Sequence, residues 1–190
     1  MVTCNGDANG SVSVTGSGGT VAGDYTYLWN NGQTTATASN LAPGTYTVTI
    51  KDDNNCSSSA GPVSITEPAV LTASMGVPTM VSCNGGSDGN VTVTGLGGTV
   101  AGDYTYLWSN GQTTATATGL SAGSYTVTIT DDNGCQASAG PVTITEPTQV
   151  VASMGLPTMV TCNGDADGSV TVTGSGGTVA GDYIYLWSNG

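Results

Sequence analysis

The sequence predicts an all-β protein built from tandem antiparallel β-sandwich modules with a 79-residue period. Near-identical segments recur at that spacing, and the register never slips. Short runs alternate apolar and polar residues, which is typical of antiparallel sheets with one face in solvent. Glycine and asparagine separate these runs at intervals of roughly ten residues, a spacing that indicates a sandwich.

The repeat is clearest in the segment TVAGDYTYLWNNG at residues 20–32, which returns with minor changes at 99–111 and 178–190. Glu-Pro pairs at Glu67 and Glu146 each follow a strand-like run, and proline suits a strand end and a linker. We therefore expect a segment of a longer array, whose first module lacks its opening strand and whose third holds only its N-terminal part. The predicted modules are 1–68, 69–147 and 148–190.

The central module shows the predicted core most clearly. Alternation places one set of side chains on the buried faces: Val91, Val93, Tyr104, Tyr106, Trp108, Tyr125, Val127, Ile129, Val142 and Ile144. Asn110-Gly111 predicts a two-residue turn and a hairpin between the strand that ends at Trp108 and the next one.

Two aromatic residues point to an immunoglobulin-like sandwich. Residues 123–131 resemble the F strand of such domains, with Tyr125 as the corner tyrosine, and Trp108 resembles the core tryptophan of strand C. A sugar-stacking platform is the alternative role for Trp108. Core packing is favoured, because this side chain shares a face with two tyrosines.

Composition excludes several classes of function. The chain has 13 acidic side chains, one basic side chain and no histidine, for a net charge of −12. Nucleic acid and anionic membrane surfaces are bound through Lys and Arg, so neither is an expected partner. No apolar run is long enough for membrane insertion. Without histidine there is no Ser-His or Cys-His pair, and we expect no enzyme.

Each complete repeat has two cysteines 52 residues apart. We predict one structural disulfide per repeat, Cys4–Cys56 and Cys83–Cys135, with buried free thiols as the alternative. A loop of that size would stabilise each module by about 4 kcal/mol in the chain-entropy model. Disulfides also indicate an oxidising, extracellular setting.

Such bridges would bring two acidic loops together. Clustered Asp and Asn oxygens can hold Ca²⁺, and Asp88, Asp131 and Asp132 are the candidate ligands. Solvated Asn-Gly and Asp-Gly turns are the favoured alternative. The sequence predicts no other cofactor and identifies no ligand-binding residue.

The ordered motifs resemble the SprB-type repeats of Bacteroidetes surface adhesins. They are Val-(Thr/Ser)-Cys-Asn-Gly, Tyr-x-Tyr-x-Trp, Gly-x-Tyr-Thr-Val-Thr-Ile-x-Asp-Asp-Asn-x-Cys and Ile-Thr-Glu-Pro, within residues 2–68, 81–147 and 160–190. The resemblance implies a long extracellular protein at the cell surface, attached to the outer membrane or secreted as a filament. It also implies type IX secretion and a role in gliding motility.

Three functions are consistent with these features. The first is the stalk or filament of an adhesin, whose partners are the neighbouring repeats of the same chain. The second is a repeat that binds a glycan or surface polysaccharide through multivalency. The third is a subunit of an extracellular matrix or pilus-like fibre, whose partners are other copies of the chain.

Overall fold

The structure, a computed structural model, describes residues 1–188. Within this part of the chain every helix or strand assigned is a β-strand, so the predicted all-β class is confirmed. Residues 189 and 190, which end the third predicted module, lie outside the described residues.

Strands recur with the sequence period. The first predicted module contains β1 (Gly10–Ser13), β2 (Thr26–Trp29), β3 (Thr37–Leu41), β4 (Gly44–Lys51) and β5 (Ser57–Ile65). The second contains β6 (Ala69–Met75), β7 (Gly89–Gly98), β8 (Thr105–Trp108), β9 (Thr116–Leu120), β10 (Gly123–Thr130) and β11 (Gln136–Ile144). The third contains β12 (Val151–Met154) and β13 (Val172–Ser175).

The strands form small antiparallel sheets. In the first module β1 pairs with β3, and β2, β4 and β5 form a second sheet. In the second module the sheet orders are β6-β7-β9 and β11-β10-β8, and β12 pairs with β13 in the third. Two sheets with this strand order define an immunoglobulin-like sandwich, which confirms the predicted fold.

The compact units of the chain do not follow the predicted module boundaries, which stay a prediction. One unit joins residues 1–74 to residues 94–107 and 128–139. The other consists of residues 75–93, 108–127 and 140–190. The loop that carries Cys135 thus belongs to the same compact unit as the whole first module.

The core of the first module is built around Trp29, which is 3% exposed. It belongs to a cluster of buried apolar side chains with Val2, Ala38, Leu41, Val48 and Ile65. Its indole Nε1 donates to the carbonyl oxygen of Thr35 at 2.8 Å, so its polar atom is satisfied inside the protein.

The equivalent Trp108 is 2% exposed, and its Nε1 donates to the carbonyl oxygen of Thr114 at 2.8 Å. The predicted core role of Trp108 is confirmed, because a buried ring offers no face to a sugar. The corner tyrosine is confirmed as well, since the Tyr125 hydroxyl donates to the carbonyl oxygen of Ser121 at 3.1 Å.

The chain turns after Trp108, but not as the predicted two-residue Asn-Gly turn. The Gly111 amide donates to the carbonyl oxygen of Trp108 at 2.9 Å, so Ser109 and Asn110 are the central residues of the turn, and Gly111 follows them with a φ of 86°. The hairpin prediction is wrong, because β8 and β9 belong to different sheets. The Gln112 side chain bonds to both backbone groups of Thr118, at 2.8 and 3.0 Å, along the segment that crosses between the sheets.

Replacing the core tryptophan should cost far more stability than replacing its exposed neighbour. We expect Trp29→Ala to lower the free energy of unfolding of the first module by about 3–5 kcal/mol, because it empties a buried site. Leu28→Ala is the matched control, since Leu28 is 58% exposed. Urea unfolding followed by circular dichroism measures both, and equal losses would contradict the assigned core.

Candidate functional site: a disulfide-linked joint between repeats

Two loops from different repeats meet at a disulfide. The Cys4 loop, residues 3–9, precedes β1, and the Asp131 loop, residues 131–135, connects β10 to β11. Cys4 and Cys135 are bonded with their Cα atoms 5.7 Å apart, a normal spacing for a disulfide. The two cysteines are 131 residues apart in sequence. We call the two loops and this bond the joint.

The Cys4 loop is held by carboxylates from two sides. The Cys4 amide donates to Asp7 Oδ2 at 3.0 Å within the loop. The Gly6 amide donates to Glu67 Oε2 at 2.8 Å, and Asn5 Nδ2 donates to the carbonyl oxygen of Pro68 at 3.0 Å. The loop is therefore fixed to the chain just after the end of β5.

The Asp131 loop is organised by one buried side chain. The carboxylate of Asp131, 6% exposed, accepts from the amides of Asn133 and Cys135 through Oδ1, at 3.0 and 2.8 Å. Its Oδ2 accepts from the Thr99 amide at 2.8 Å. Asp132 adds a further hydrogen bond to the same segment, because its Oδ2 accepts from the Ala101 amide at 2.6 Å.

These contacts set the ionisation of the carboxylate. Burial raises the pKa of Asp131, but the backbone hydrogen bonds from Thr99, Cys135 and Asn133 outweigh it and hold the pKa below its usual value. The equivalent Asp52 also has a lowered pKa, chiefly through the hydrogen bond from the Thr20 amide. The folded loops therefore favour the charged form of both side chains.

A glycine-rich motif lets the backbone come close to Asp131, and to the equivalent Asp52 in the first repeat. Gly98 has a φ of 69°, and a Cβ added there would lie 2.5 Å from Asp131 Oδ2. At the equivalent Gly19 a Cβ would lie 2.7 Å from Asp52 Oδ2. The Gly-Gly-Thr motif therefore lets the backbone amide reach the carboxylate.

A side chain supports the joint beside the disulfide. Asn133 Nδ2 donates to the carbonyl oxygen of Thr3 at 2.9 Å. This hydrogen bond joins the same two repeats that the disulfide joins. The joint therefore has a covalent and a polar contact.

The predicted pairing of the cysteines needs correction, since the structure forms neither Cys4–Cys56 nor Cys83–Cys135. Cys56 and Cys83 are exposed thiols, as is Cys162. Cys56 immediately precedes the nine-residue strand β5, whereas the Cys4 loop is bonded to Glu67, beyond its far end. A strand of that length spans about 30 Å, and a disulfide needs Cα atoms within about 7 Å.

The same reasoning applies in the second repeat. Cys135 immediately precedes β11, and the loop of Cys83 is bonded to Glu146, just after that strand. Sequence reasoning considered only the 52-residue spacing and missed the anchoring role of Glu67 and Glu146. The available signal was the order of strands. In an immunoglobulin-like sandwich the loop before β7, which carries Cys83, and the loop after β10, which carries Cys135, lie at opposite ends.

The structure also bears on the calcium hypothesis. Asp88 Oδ1 accepts from the Ser82 amide at 3.0 Å, and Asp131 and Asp132 are bonded to backbone amides as described above. Residues 1–188 contain no group of three or more His, Cys, Asp or Glu side chains placed to hold a metal ion. The three acidic side chains close their own loops instead of forming one ligand cluster.

Comparison with known proteins identifies the family. The SprB repeat model matches residues 2–34, 76–113 and 157–190, which together are more than half of the chain. The chain therefore belongs to the SprB repeat family. This is a family of cell-surface proteins, and the disulfide fits an extracellular location.

Other comparisons yield less. No curated protein matches the chain. A solved structure of the three N-terminal domains of the highly immunogenic outer capsid protein (Hoc) of bacteriophage RB49 is 18% identical, with a TM-score of 0.45. That match covers 93% of this chain and 67% of the other. Residues 1–188 contain no helix that is long and apolar enough to cross a membrane.

The disulfide assignment can be checked by counting thiols. In oxidised, unfolded chain we expect N-ethylmaleimide to modify three cysteines, namely Cys56, Cys83 and Cys162. The pairing within repeats would leave only Cys162 to react. Mass spectrometry of the intact chain separates these results, and peptide mapping without reduction should recover the Cys4–Cys135 link.

Removing the charge of Asp131 should weaken the joint at neutral pH. We expect Asp131→Asn to cost about 2 kcal/mol at pH 7, because an amide nitrogen cannot accept the hydrogen bonds that a carboxylate accepts. Asp103→Asn, at an exposed position of the same repeat, is the matched control. Thermal unfolding by circular dichroism measures both variants.

Acid should reduce the difference in stability between the parent chain and Asp131→Asn. The pKa of folded Asp131 is below its unfolded value of about 3.8, so its contribution is present above that pH and is lost as the pH falls through the folded pKa. The melting temperatures of the parent chain and Asp131→Asn should therefore converge below about pH 4. A gap that stays constant on acidification would contradict the assigned role of the charge.

Proposed function

We propose that this chain is a load-bearing stalk segment of a large secreted cell-surface adhesin that serves surface adhesion and gliding motility. The Cys4–Cys135 disulfide carries the proposal, because it joins two repeats covalently. Membership of the SprB repeat family supports the cell-surface setting. A stalk needs joints that resist separation, and a covalent joint meets that need.

The position of the disulfide gives it a mechanical consequence. A force applied to the two ends of the chain passes from Cys4 to Cys135 through the sulfur–sulfur bond. The 131 residues of that loop are then excluded from extension. At up to about 3.6 Å per residue, the disulfide withholds about 470 Å of length that unfolding would otherwise release.

The surface chemistry fits a stalk better than a catalyst or an adhesive patch. With a net charge of −12, neighbouring stalks repel one another and stay separate in solution. The acidic side chains at the joint are bonded to backbone amides, and the chain has no histidine. We assign no enzymatic role to the chain.

Force spectroscopy tests the load-bearing role. When the oxidised chain is held at its two ends, full unfolding should lengthen it by about 470 Å less than it lengthens the reduced chain. Cys135→Ser should behave like the reduced chain under oxidising conditions, and Cys162→Ser is the matched control that should behave like the parent. Equal lengths for the oxidised and reduced chains would refute a load-bearing joint.

A binding assay separates the stalk from an adhesive repeat. A stalk segment should give no saturable signal on an array of surface polysaccharides and glycans. Saturable binding by the isolated chain would favour the multivalent binding repeat instead.

A further inference from the structure

We infer that the joint recurs along the chain, with Cys83 as one half of a second joint that receives the Asp-Asp-Asn-x-Cys loop of the following SprB repeat. The inference rests on the proposed function only in placing the repeats in series. It makes the disulfide a regular link between consecutive repeats instead of a single feature of the first two.

The Cys83 loop, residues 82–88, duplicates the Cys4 loop. The Gly85 amide donates to Glu146 Oε2 at 2.6 Å, as the Gly6 amide does to Glu67. Asn84 Nδ2 donates to the carbonyl oxygen of Pro147 at 3.2 Å, as Asn5 does to Pro68. The thiol of Cys83 is exposed, whereas its counterpart Cys4 is in the disulfide.

An open cleft lies beside Cys83, with a volume of about 400 Å³. Its lining includes Ser82, Cys83 and Asn84 from the Cys83 loop, and Gly177 and Thr178 from the third repeat. In the first joint the equivalents of these two walls are the two surfaces that hold the Asp131 loop.

On one side, the Thr3 carbonyl oxygen accepts from Asn133, and Cys4 bonds to Cys135. On the other side, the Thr99 amide donates to Asp131. The equivalents of both surfaces are therefore present around Cys83, and the cleft between them is the place where such a loop would bind.

The wall from the third repeat has the same backbone packing as its counterpart. A Cβ added at Gly176 would overlap the carbonyl oxygen of Gln149, just as one added at Gly97 would overlap that of Val70. The linker and the glycine-rich turn therefore approach each other in the same way at both positions. The surfaces around Cys83 therefore match the two surfaces that hold the Asp131 loop in the first joint.

Closing the second joint needs an oxidant. Two thiols lose two protons and two electrons as the sulfur–sulfur bond forms, and a disulfide oxidant takes them up as it is reduced to two thiols. Oxidised glutathione supplies this chemistry in the test below.

Recurrence would limit how far an array can extend under force. Each link spans 131 residues and the repeat is 79 residues, so consecutive links overlap. The shortest path along the array then uses links and the 27-residue backbone step from Cys135 to Cys162. Fully extended, that step measures about 95 Å, against about 60 Å for two folded sandwiches with nine-residue strands.

The test completes the third repeat. A copy of residues 112–147 is added after Gly190, and the extended chain is oxidised with glutathione, blocked with N-ethylmaleimide and mapped without reduction. We expect two disulfides, Cys4–Cys135 and Cys83 with the copied cysteine, and two modified thiols, Cys56 and Cys162. Pairing within repeats would instead give three disulfides and no thiol.

The Cys4–Cys135 link serves as the internal control for folding. If that link forms while Cys83 is still modified, the inference is wrong. In Cys83→Ser the copied cysteine should become a third modified thiol, and its pairing with Cys162 would also overturn the inference. The disulfide map does not depend on load or adhesion, so the expected map with unchanged force curves would reject the proposed function alone.

Discussion

The joint depends on carboxylates that bind backbone amides. Asp131 binds three amides with its two oxygens, and this fixes the direction in which Cys135 presents its sulfur atom. Glu67 does the equivalent for the Cys4 loop through the Gly6 amide. A disulfide between two mobile loops would carry the full entropy cost of ordering both, whereas these loops are ordered by their own hydrogen bonds.

This arrangement gives the acidic composition a structural meaning. In the two joint loops, Asp7, Asp131 and Asp132 accept hydrogen bonds from amides of their own repeat. These side chains therefore stabilise the loops of their own repeat. They also contribute to the net negative charge, which makes separate molecules repel one another. Two of them, Asp131 and Asp132, are candidate calcium ligands in the sequence, and in the structure they accept hydrogen bonds from the backbone instead.

The sandwich cores and the joint are held together by different kinds of interaction. Cores around Trp29 and Trp108 hold the two sheets of each repeat together through burial of apolar surface, which is non-directional. The disulfide is covalent and acts between repeats.

Most of the fold could be predicted from local patterns. Alternation identified the core faces, since Val91, Val127 and Ile129 are all buried, and the corner geometry of Tyr125 followed from its place in the F-like strand. The hairpin after Trp108 was wrong, because a turn motif specifies a reversal of the chain and not the sheet that the next strand joins.

By itself, the sequence determined the period, the all-β class, the identity of the core residues and the family, because each of these depends on local order along the chain. Only the tertiary structure decided which cysteines meet. Equal spacing allows a bond within a repeat or between repeats, and the choice follows from the length of β5, which separates Cys4 from Cys56, and from the packing of the Cys4 loop against the Asp131 loop.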